Sequence, residues 1–481
     1  MTRYFSFTLA AVVAGAALLA SGAGPAGAAG GGVRDAAGGA WGTARKVPGT
    51  GALNTKGDAV LFDLSCGAAG SCGAGGFYRD SAGFHAFVVS QSHGTWGKAQ
   101  PVPGLAALDT RDGSEVETVS CAAAGSCSAG GYYIDGSGHA ELFVVSQHHG
   151  TWGDAQPVPG FAALNEGGDG DLASMSCAAP GDCSAGGYYA DGAGQTRAFV
   201  VGEDHGSWGT ARPVRGLGAV NHVEDADLVS LSCAAPGECA AGGYYADGAG
   251  HLQAFVVSED HGTWRKARPV PGLVALNKGG FAATRSVSCA APGDCSAAGF
   301  YGGSGQAFTV AEVHGTWRRA RQVPGLVALD KGGNAAIELI SCAAAGDCTA
   351  AGFYANGAGH DQVFAVGERN GTWRKARPVP GFAALGNGRD AFPESLSCAA
   401  PGDCSAGGYY TVSGGRWQAF VVNEVHGTWH RAQQVPGTAA LNKGGRAVLA
   451  ALSCAPDGSC SAGGSYLDAA DNRQVFIVSK P

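Results

Sequence analysis

Residues 229–271 read VSLSCAAPGECAAGGYYADGAGHLQAFVVSEDHGTWRKARPVP, and the whole chain is organised around this stretch. Eight imperfect copies follow one another, because a tryptophan recurs every 53 to 56 residues and a cysteine follows each tryptophan after 25 residues. Self-similarity at such a period is typical of repeat architectures. The repeat tryptophans are Trp41, Trp96, Trp152, Trp208, Trp264, Trp317, Trp373 and Trp429.

Each copy accommodates four short strands. Turn sequences such as Pro236-Gly237 and His261-Gly262 separate the apolar runs, and Phe255 and Val257 share one face at a period of two. The strands are predicted at residues 230–233, 239–246, 253–258 and 263–270. Four antiparallel strands at this spacing form a blade of a β-propeller. Residues 41–481 are therefore predicted to form an all-β, eight-bladed β-propeller with four antiparallel strands per blade.

The two ends of the repeat region predict a closed ring. Residues 41–48 supply a fourth strand with no earlier strand before it, whereas residues 474–479 supply a third strand with no fourth after it. Together they complete the last blade, which hides both edges of the sheet array from unwanted pairing. An open β-solenoid or a string of separate units is the alternative.

The N-terminal residues predict export. Residues 1–28 combine Arg3, an apolar run over 5–20 and the sequence Ala26-Gly27-Ala28, a pattern that indicates a signal peptide cleaved after Ala28. Residues 29–40 then form a flexible linker. The apolar run is short for a membrane anchor, and no later segment resembles a transmembrane helix. The mature protein is expected to be extracellular or associated with the cell wall.

The net charge argues against one class of partner. It is −8, and removal of Arg3 with the signal peptide makes it about −9. A chain of this charge repels the phosphate backbone, so nonspecific nucleic-acid binding is not expected.

Eight Cys-x5-Cys pairs predict eight disulfides, because export places them in an oxidising compartment. Within a hairpin, two cysteines at this spacing reach disulfide distance, so each bond is expected to be a local staple of one hairpin. A zinc site and a redox motif are the alternatives, but both use closer spacings. The pairs are Cys66/Cys72, Cys121/Cys127, Cys177/Cys183, Cys233/Cys239, Cys289/Cys295, Cys342/Cys348, Cys398/Cys404 and Cys454/Cys460.

A histidine precedes the Gly-Thr-Trp or Gly-Ser-Trp sequence in most copies, and Asn370 replaces it in one. Both residue types tolerate a positive φ, so a turn role is predicted. One histidine per blade leaves neighbouring imidazoles too far apart to share a metal ion.

Aromatic residues predict how the blades cohere. The repeat tryptophans and one phenylalanine in each third strand are expected to pack blade against blade, although stacking on a sugar is an alternative. The phenylalanines are Phe87, Phe143, Phe199, Phe255, Phe308, Phe364, Phe420 and Phe476.

Candidate ligand-binding residues lie at the end of the second strand and in the loops between blades. A tyrosine recurs at the strand end, and the Pro-Gly-x-x-Ala-Leu-Asn loop supplies a ring of short polar side chains on the same face. Tyrosine packing and Asx turns are the structural alternatives. The candidates are Tyr133, Tyr189, Tyr245, Asn165 and Asn221.

The loops that enter blades 2 to 4 are acidic, whereas Lys278, Lys331 and Lys443 occupy the corresponding loops of blades 5, 6 and 8. A solvated charge run is one interpretation. A calcium or cationic-ligand site is the other, because carboxylate oxygens are the ligands that calcium prefers. Its candidate ligands are Asp169, Asp171, Asp225 and Asp227. No other cofactor is predicted.

The fourth strands of blades 4 to 7 carry a basic arc. Charged outer strands protect a sheet edge, but the same charges can bind an anionic cell-wall polymer or a membrane surface. The arc comprises Arg265, Lys266, Arg268, Arg318, Arg319, Arg321, Arg374, Lys375, Arg377 and Arg431.

Two short motifs resemble known repeats. The segments Gly76-Phe77-Tyr78-Arg79-Asp80 and His85-Ala86-Phe87 resemble the HAF repeats of secreted bacterial proteins. The sequence SEDHGTW at residues 258–264 is similar to the Asp-box turn of sialidase-type propellers, with one residue fewer before the tryptophan. The resemblance implies a propeller in which this turn joins the third and fourth strands.

The expected function is that of a secreted, noncatalytic module that binds an extracellular glycan or protein through its loops. A glycan-directed hydrolase of the sialidase-like propeller type is one alternative, although no loop is lengthened to carry catalytic carboxylates. No Gly-x-Ser-x-Gly, His-Glu-x-x-His or phosphate loop occurs. A structural protein of the cell envelope is the other alternative.

Overall fold

The computed structural model describes residues 39–217, 225–303 and 305–481. They form eight antiparallel sheets arranged in sequence order. The first strand of each sheet packs beside the first strand of the next, and the first strand of the eighth sheet packs beside that of the first. The predicted eight-bladed, all-β propeller is therefore confirmed.

The strands have the following bounds. Blades 1 to 4 contain β2 (Ala59–Ala68), β3 (Ser71–Arg79), β4 (Phe84–Ser92), β5 (Thr95–Trp96) and β6 (Gln100–Pro101); β7 (Glu115–Ala123), β8 (Ser126–Ile134), β9 (Ala140–His148), β10 (Thr151–Trp152) and β11 (Gln156–Pro157); β12 (Gly170–Ala179), β13 (Asp182–Ala190), β14 (Thr196–Asp204), β15 (Ser207–Trp208) and β16 (Arg212–Pro213); and β17 (Ala226–Ala235), β18 (Glu238–Ala246), β19 (Leu252–Asp260), β20 (Thr263–Trp264) and β21 (Arg268–Pro269). Blades 5 to 8 contain β22 (Ala282–Ala291), β23 (Asp294–Tyr301), β24 (Gln306–Val313), β25 (Thr316–Trp317) and β26 (Arg321–Gln322); β27 (Ala335–Ala344), β28 (Asp347–Ala355), β29 (Asp361–Arg369), β30 (Thr372–Trp373) and β31 (Arg377–Pro378); β32 (Ala391–Ala400), β33 (Asp403–Val412), β34 (Arg416–Val425), β35 (Thr428–Trp429) and β36 (Gln433–Gln434); and β37 (Ala447–Cys454), β38 (Cys460–Leu467), β39 (Arg473–Lys480) and β1 (Arg45–Lys46).

Single helical turns lie in the loops that join the blades. They follow a glycine with positive φ, such as Gly49 or Gly381, which turns the chain out of the preceding strand. The turns are α1 (Thr50–Leu53), a 3₁₀ turn at Leu105–Ala107, α2 (Leu326–Leu329), α3 (Phe382–Gly386) and α4 (Thr438–Leu441).

The N-terminal strand closes the ring as predicted. β1 pairs antiparallel with β39, with Arg45 opposite Ile477 and Lys46 opposite Phe476. The backbone N–H of Gly42 donates to the carbonyl of Ser479 at 2.9 Å. The last blade is thus assembled from both ends of the repeat region.

A serine before the first cysteine links each blade to the next. Its hydroxyl oxygen accepts a hydrogen bond from the backbone N–H of the first cysteine of the following blade, at 2.9–3.0 Å in all eight cases. The bond from Cys66 to Ser453 joins blade 1 to blade 8. These bonds bury polar groups in pairs, which makes the inner ring continuous.

The fourth strand differs from the prediction of one run over residues 263–270. It consists of two pieces, β20 and β21, which both pair with β19. Between them, the N–H of Ala267 donates to the carbonyl of Arg215 in the loop of the preceding blade at 2.7 Å. The equivalent alanine makes this bond in every blade, at 2.7–2.8 Å. The strand is interrupted because this interblade bond replaces a bond within the sheet.

Aromatic packing between blades is confirmed. All eight third-strand phenylalanines have no exposed surface. Repeat tryptophans also reach the preceding blade: Trp152 Nε1 donates to Ser90 Oγ at 2.9 Å, and Trp317 Nε1 donates to Ser258 Oγ at 2.9 Å. Because aromatic side chains bury large areas, these residues carry much of the cohesion between blades.

The eight predicted disulfides are present, and no cysteine is free. Each joins the first and second strands of one blade, with Cα atoms 3.9–4.0 Å apart. The paired cysteines stand directly opposite one another, as in Cys233 and Cys239.

The disulfides are the local staples of one hairpin that the spacing predicts, and they also take part in the packing between blades. The second-strand cysteines Cys127, Cys183 and Cys404 belong to apolar clusters that also contain side chains of the preceding blade. Cys72 of blade 1 is buried to the same extent. Since these four residues are closed off from solvent, they contribute to packing between blades and offer no surface to a ligand.

Replacement of one disulfide should lower the free energy of unfolding by about 2 kcal/mol, because the bond restricts a short loop in the unfolded chain. The double variant Cys233→Ala/Cys239→Ala tests this by guanidinium denaturation. With all disulfides reduced, the variant and its parent should unfold at closely similar denaturant concentrations. An equal stability of the oxidised proteins would contradict the prediction.

The histidine turns are also confirmed. His93, His149, His205, His261, His314 and His426 have φ of 48–49°, and Asn370 has φ of 49°. Each precedes a glycine with positive φ in the tight turn between the third and fourth strands. These side chains are therefore selected for backbone conformation.

The predicted signal peptide, residues 1–28, and most of the linker, residues 29–40, lie outside the described residues. Within the described ranges, none of the helices has the length and hydropathy that crossing a bilayer requires.

Candidate functional site

The ring has two distinct faces. The hairpins that contain the disulfides and the histidine turns share one face, since the N–H of Gly262 donates to the carbonyl of Gly237 at 3.0 Å and equivalent bonds recur in other blades. We call this the disulfide face. The opposite face carries the hairpins between the second and third strands together with the loops between blades, and we call it the loop face.

The first strands enclose a central channel, and a β-bulge in each of them directs one side chain toward it. The pairing of the first and second strands shifts by one residue at the same place in all eight blades. A bulge re-aims the side chain of its extra residue. The bulged residues are Phe62, Glu117, Ala173, Val229, Arg285, Glu338, Glu394 and Ala450.

Three successive blades place a carboxylate opposite a tyrosine near the loop face. The cross-strand pairs are Glu115 with Tyr132, Asp171 with Tyr188 and Asp227 with Tyr244. All six side chains are half-buried. Directly opposite residues in a sheet point to the same side, so each carboxylate and its tyrosine share one surface. We call these residues, with Glu117, the acid–tyrosine sector.

The carboxyls of this sector are held in a poorly solvated environment. Burial raises the pKa of Glu115 and of Asp227 to about 7. Burial and the neighbouring Asp171 also raise the pKa of Glu117, which lies within hydrogen-bonding reach of Asp171. Two carboxyls at that separation share a proton or take up a cation, because two bare negative charges would repel. The sector is therefore prepared to bind positive charge.

One oxygen in the sector has no partner. Asp227 Oδ1 is buried and has no hydrogen-bond donor among the described residues. The Asp227 carboxyl as a whole makes a hydrogen bond with Tyr244 and interacts with the charges of Asp171 and Arg285. An unsatisfied carboxylate oxygen is costly, and a bound cation or N–H donor would remove that cost.

The part of the loop face on blades 5 to 7 carries exposed apolar side chains. Phe281 stacks on Phe300 with ring centroids 5.3 Å apart, and Phe353 meets Phe392 at 5.4 Å. Phe281 is 38% exposed, and two loop valines, Val274 and Val327, are 67% and 62% exposed. We call Val274, Phe281, Phe300, Val327, Phe353 and Phe392 the apolar sector. It lies on blades 5 to 7, which follow blades 2 to 4 of the acid–tyrosine sector around the ring.

The structure places the predicted tyrosines in the blade cores. Tyr133, Tyr189 and Tyr245 are only 7%, 6% and 3% exposed. Burial raises the pKa of the Tyr133 and Tyr245 hydroxyls to about 12. Ligand contact through these rings stays a prediction, with little open surface to support it.

The side chain of the loop residue Asn165 makes its hydrogen bonds within the protein. It is 1% exposed, its Nδ2 donates to the Ala140 carbonyl at 2.9 Å, and its Oδ1 accepts from the Ala190 N–H at 3.3 Å. These bonds tie the loop between blades to the third strand of the preceding blade and to the second strand of the following blade. Asn221 and Glu224 lie outside the described residues.

The predicted calcium ligands are divided between the channel and the loops. Asp171 and Asp227 belong to the acid–tyrosine sector, whereas Asp169 and Asp225 precede the strands. Asp225 Oδ1 accepts the Thr196 N–H at 3.0 Å. In the described part of the chain, no three of these carboxylates bring ligand atoms within 4.8 Å of one another. Calcium binding at these four residues remains a prediction.

The basic arc lies on the outer rim, and all ten of its side chains are exposed. Arg318, Arg319 and Arg321 line a groove of about 400 Å³ between blades 5 and 6. The buried carboxyl of Glu368 also faces this groove. The groove is thus mixed in charge, whereas the rest of the arc presents positive charge to solvent.

In blades 2 to 4, the other tyrosine of each Tyr-Tyr pair lies beside a carboxylate, and the sequence alone does not identify it. The period of two places Tyr189 in the core and Tyr188 beside Asp171. The three blades with an acid in the matching first strand all have tyrosine at this position, but blade 7 also has a tyrosine, Tyr409, opposite Phe392. Recognising the acid–tyrosine pairs requires the register between the two strands.

No protein-family model matches the chain, and no curated protein matches it. Solved structures with a similar fold include Sqt1 from Chaetomium thermophilum, with 10% identity over 89% of this chain and 96% of that one and a TM-score of 0.50. A second Sqt1 structure, bound to the N-terminus of ribosomal protein L10, has 10% identity, coverages of 89% and 98%, and a TM-score of 0.48. A Trypanosoma rangeli sialidase in complex with sialic acid has 11% identity, coverages of 88% and 54%, and a TM-score of 0.37.

These similarities concern the fold alone. The protein is an eight-bladed β-propeller with one disulfide in each blade and a loop face divided into an acid–tyrosine sector and an apolar sector. Its architecture resembles that of Sqt1.

Proposed function

We propose that the protein is a secreted, noncatalytic binding module whose loop face takes a segment of an extracellular protein that carries both basic and apolar side chains. The observation that carries the proposal is the division of the loop face. Carboxylates of blades 2 to 4 would pair with lysine or arginine, while the exposed Phe281 and the two loop valines would cover apolar side chains.

Export is part of the proposal. Eight disulfides fit a protein that folds in an oxidising compartment, and the apolar run at residues 5–20 supports a signal peptide. The HAF-like and Asp-box-like segments support the same placement by resemblance.

A glycan ligand is the second candidate, because the exposed ring of Phe281 offers a stacking surface. A protein ligand is favoured because the repeated tyrosines are buried and because a neutral sugar gains little from four carboxyls. An anionic cell-wall polymer on the basic arc and a structural role in the envelope are further outcomes of the experiment below.

The noncatalytic part rests on carboxyl spacing. Glycosidases separate their two carboxyls by about 5 to 10 Å to admit the sugar or a water molecule. Of the four carboxyls in the sector, Glu117 and Asp171 lie within direct hydrogen-bonding reach of one another, which leaves no such space between these two.

A displayed peptide library tests the proposal. Selection on the purified protein should enrich peptides that combine lysine or arginine with aromatic or aliphatic residues. The variant Asp171→Asn/Asp227→Asn should bind an enriched peptide at least about tenfold more weakly by fluorescence anisotropy, because it removes two charges that face the ligand. Binding by the parent should weaken as salt increases.

The control is Asp112→Asn, on the same face but exposed, where asparagine accepts the φ of 52°. It should bind like the parent. Equal binding by the double variant, or glycan-array hits without peptide enrichment, would refute the proposed ligand class. Hydrolysis of fluorogenic glycosides that is lost in Glu117→Gln would refute the noncatalytic assignment.

A further inference from the structure

The hairpin between the second and third strands is built on a repeated carboxylate. Asp135, Asp191, Asp247 and Asp468 each accept backbone N–H bonds within their own hairpin through one oxygen. In three of these blades the other oxygen accepts from the third strand: Arg197 Nε at 2.9 Å, Gln253 Nε2 at 3.0 Å and Gln474 Nε2 at 3.3 Å. The ordinary arrangement therefore covers the aspartate with a donor.

Blade 2 breaks this rule. Its third-strand position is Glu141, whereas the other blades have His85, Arg197, Gln253, Gln306, Gln362, Gln418 and Gln474. Glu141 has no proton to donate when ionised, so Asp135 faces a second carboxylate. His139 completes the cluster, and one ligand atom from each of the three side chains lies within 4.8 Å of the others.

Glu141 is a buried carboxyl beside a second carboxyl. The residue is 6% exposed, and its Oε1 accepts from Asn165 Nδ2 at 3.3 Å. Asp135 is half-buried and its negative charge acts on Glu141. A positive charge between the two carboxylates would offset their repulsion.

The imidazole is held in place beside them. The His139 ring lies against Gly168 in the loop that leads to blade 3, where an added Cβ would come within 2.5 Å of His139 Cδ2. Gly168 has φ of 73°, so the backbone conformation and the close approach both require glycine. The ring is thus confined to the mouth of the hairpin.

We propose that Asp135, His139 and Glu141 bind a divalent transition-metal ion such as Zn²⁺. One imidazole nitrogen and two carboxylates form the mixed ligand set that these ions accept at bonds of about 2.0–2.2 Å, whereas calcium and magnesium prefer oxygen alone. Asp135 and His139 are half-buried, and binding requires them to turn toward the ion from ligand-atom separations of up to 4.8 Å. The ion would neutralise the two carboxylates that meet at this hairpin of blade 2.

Blade 4 supplies a matched control, because it has Asp247, His251 and Asn277 at the equivalent positions and differs by Gln253. Glu141→Gln converts the blade 2 site to the blade 4 arrangement, and Gln253→Glu does the reverse. Glutamine occupies this position in five blades, so both variants should keep the fold, which circular dichroism checks.

The two exposed clusters around His205 and His261 also contain potential ligands, so all proteins carry His205→Asn and His261→Asn. Asparagine accepts the φ of these turns, as Asn370 shows. After removal of metal with EDTA, calorimetric titration with ZnCl₂ should show one site in this parent. Glu141→Gln should weaken it at least about tenfold, and Gln253→Glu should add a second equivalent.

Titration with Co²⁺ gives an independent readout, since its visible absorption depends on the number and type of ligands and should change when His139→Ala removes the imidazole. The proposal is overturned if the parent binds no Zn²⁺, or if Glu141→Gln binds it as tightly as the parent. It is equally overturned if the parent binds Zn²⁺ but His139→Ala leaves the affinity unchanged.

Discussion

Deletion of residues 39–48 should destabilise the protein by at least about 5 kcal/mol. The segment places Trp41, Ala44 and Val47 in the interblade core at 5%, 5% and 1% exposure. Removing a buried tryptophan alone costs about 3–5 kcal/mol. The deletion also breaks the bond from the Ala44 N–H to the Pro436 carbonyl and leaves β39 as a free edge. Guanidinium denaturation measures the loss, and size-exclusion chromatography should reveal association through the exposed edge.

A circular permutant is the control. Gly39 lies beside Pro481, since a Cβ added to Gly39 would be 2.7 Å from the Pro481 carbonyl oxygen. A chain that starts at residue 50 and continues from 481 through a short glycine linker into 39–49 retains every interblade contact of blade 8. It should unfold close to the parent. A deletion variant as stable as the parent would show that the ring does not need closure.

The second expected result is that stability falls as the pH rises from about 5 to 8. Several carboxyls have a raised pKa in the folded protein, chiefly because of burial, so the folded state holds protons that the unfolded state releases above about pH 4.5. Stability is therefore greatest while these groups are protonated in both states, and it declines as the pH rises toward the folded pKa. The groups include Asp63, Glu115, Asp227, Glu259 and Glu368, each at about 7, and Glu394 at about 8.

Acid lowers stability only below about pH 4. The hairpin aspartates Asp135, Asp191 and Asp247 have a pKa below the usual value, because backbone and side-chain hydrogen bonds outweigh their burial. These aspartates contribute to the free energy of unfolding above about pH 3.8, and the contribution is lost as the pH falls through the lower pKa of the folded state. The optimum is thus expected between about pH 4 and 5.

A variant of Glu368 tests one of the carboxyls with a raised pKa by itself. It is 2% exposed and its Oε2 has no hydrogen-bond partner among the described residues. Burial and then Asp347 raise its pKa to about 7. Glu368→Gln should raise the free energy of unfolding at pH 8 by up to about 3 kcal/mol and change it little at pH 5.

The chain contains its own comparison for this variant. Gln147 occupies the same position in blade 2, where its Nε2 donates to Ser90 Oγ at 2.7 Å. Gln147→Glu should therefore destabilise at pH 8 and much less at pH 5. If both variants shift stability equally at the two pH values, ionisation of this position is not the cause.

The blade itself could be predicted from the sequence because its determinants are close along the chain. The partners of a disulfide are 6 residues apart, and a histidine turn depends on two adjacent φ angles. The number of blades followed from counting a period, and closure followed from matching the two incomplete ends. The interruption of the fourth strand was not predictable in this way, since it depends on a bond from Ala267 to Arg215 in another blade.

Only part of the candidate site could be predicted from the sequence. The acids Asp171 and Asp227 stood out as departures from the repeat, but the choice between Tyr188 and Tyr189 depends on strand register and on a β-bulge. Glu141 could not be recognised from the sequence for the same reason, because its role depends on facing Asp135 across the hairpin.

The sequence by itself determined the number of blades, the order of their strands, the disulfides and the turns, since each is decided by residues that are neighbours in one copy of the repeat. The tertiary structure alone decided which side chains meet across blades: the ring of serine and alanine bonds, the burial of the disulfides against the preceding blade, the carboxyls gathered at the channel, and the cluster of Asp135, His139 and Glu141. Repeats with similar sequences differ in the contacts that their side chains make with neighbouring strands and blades. Those contacts are determined by packing and strand register.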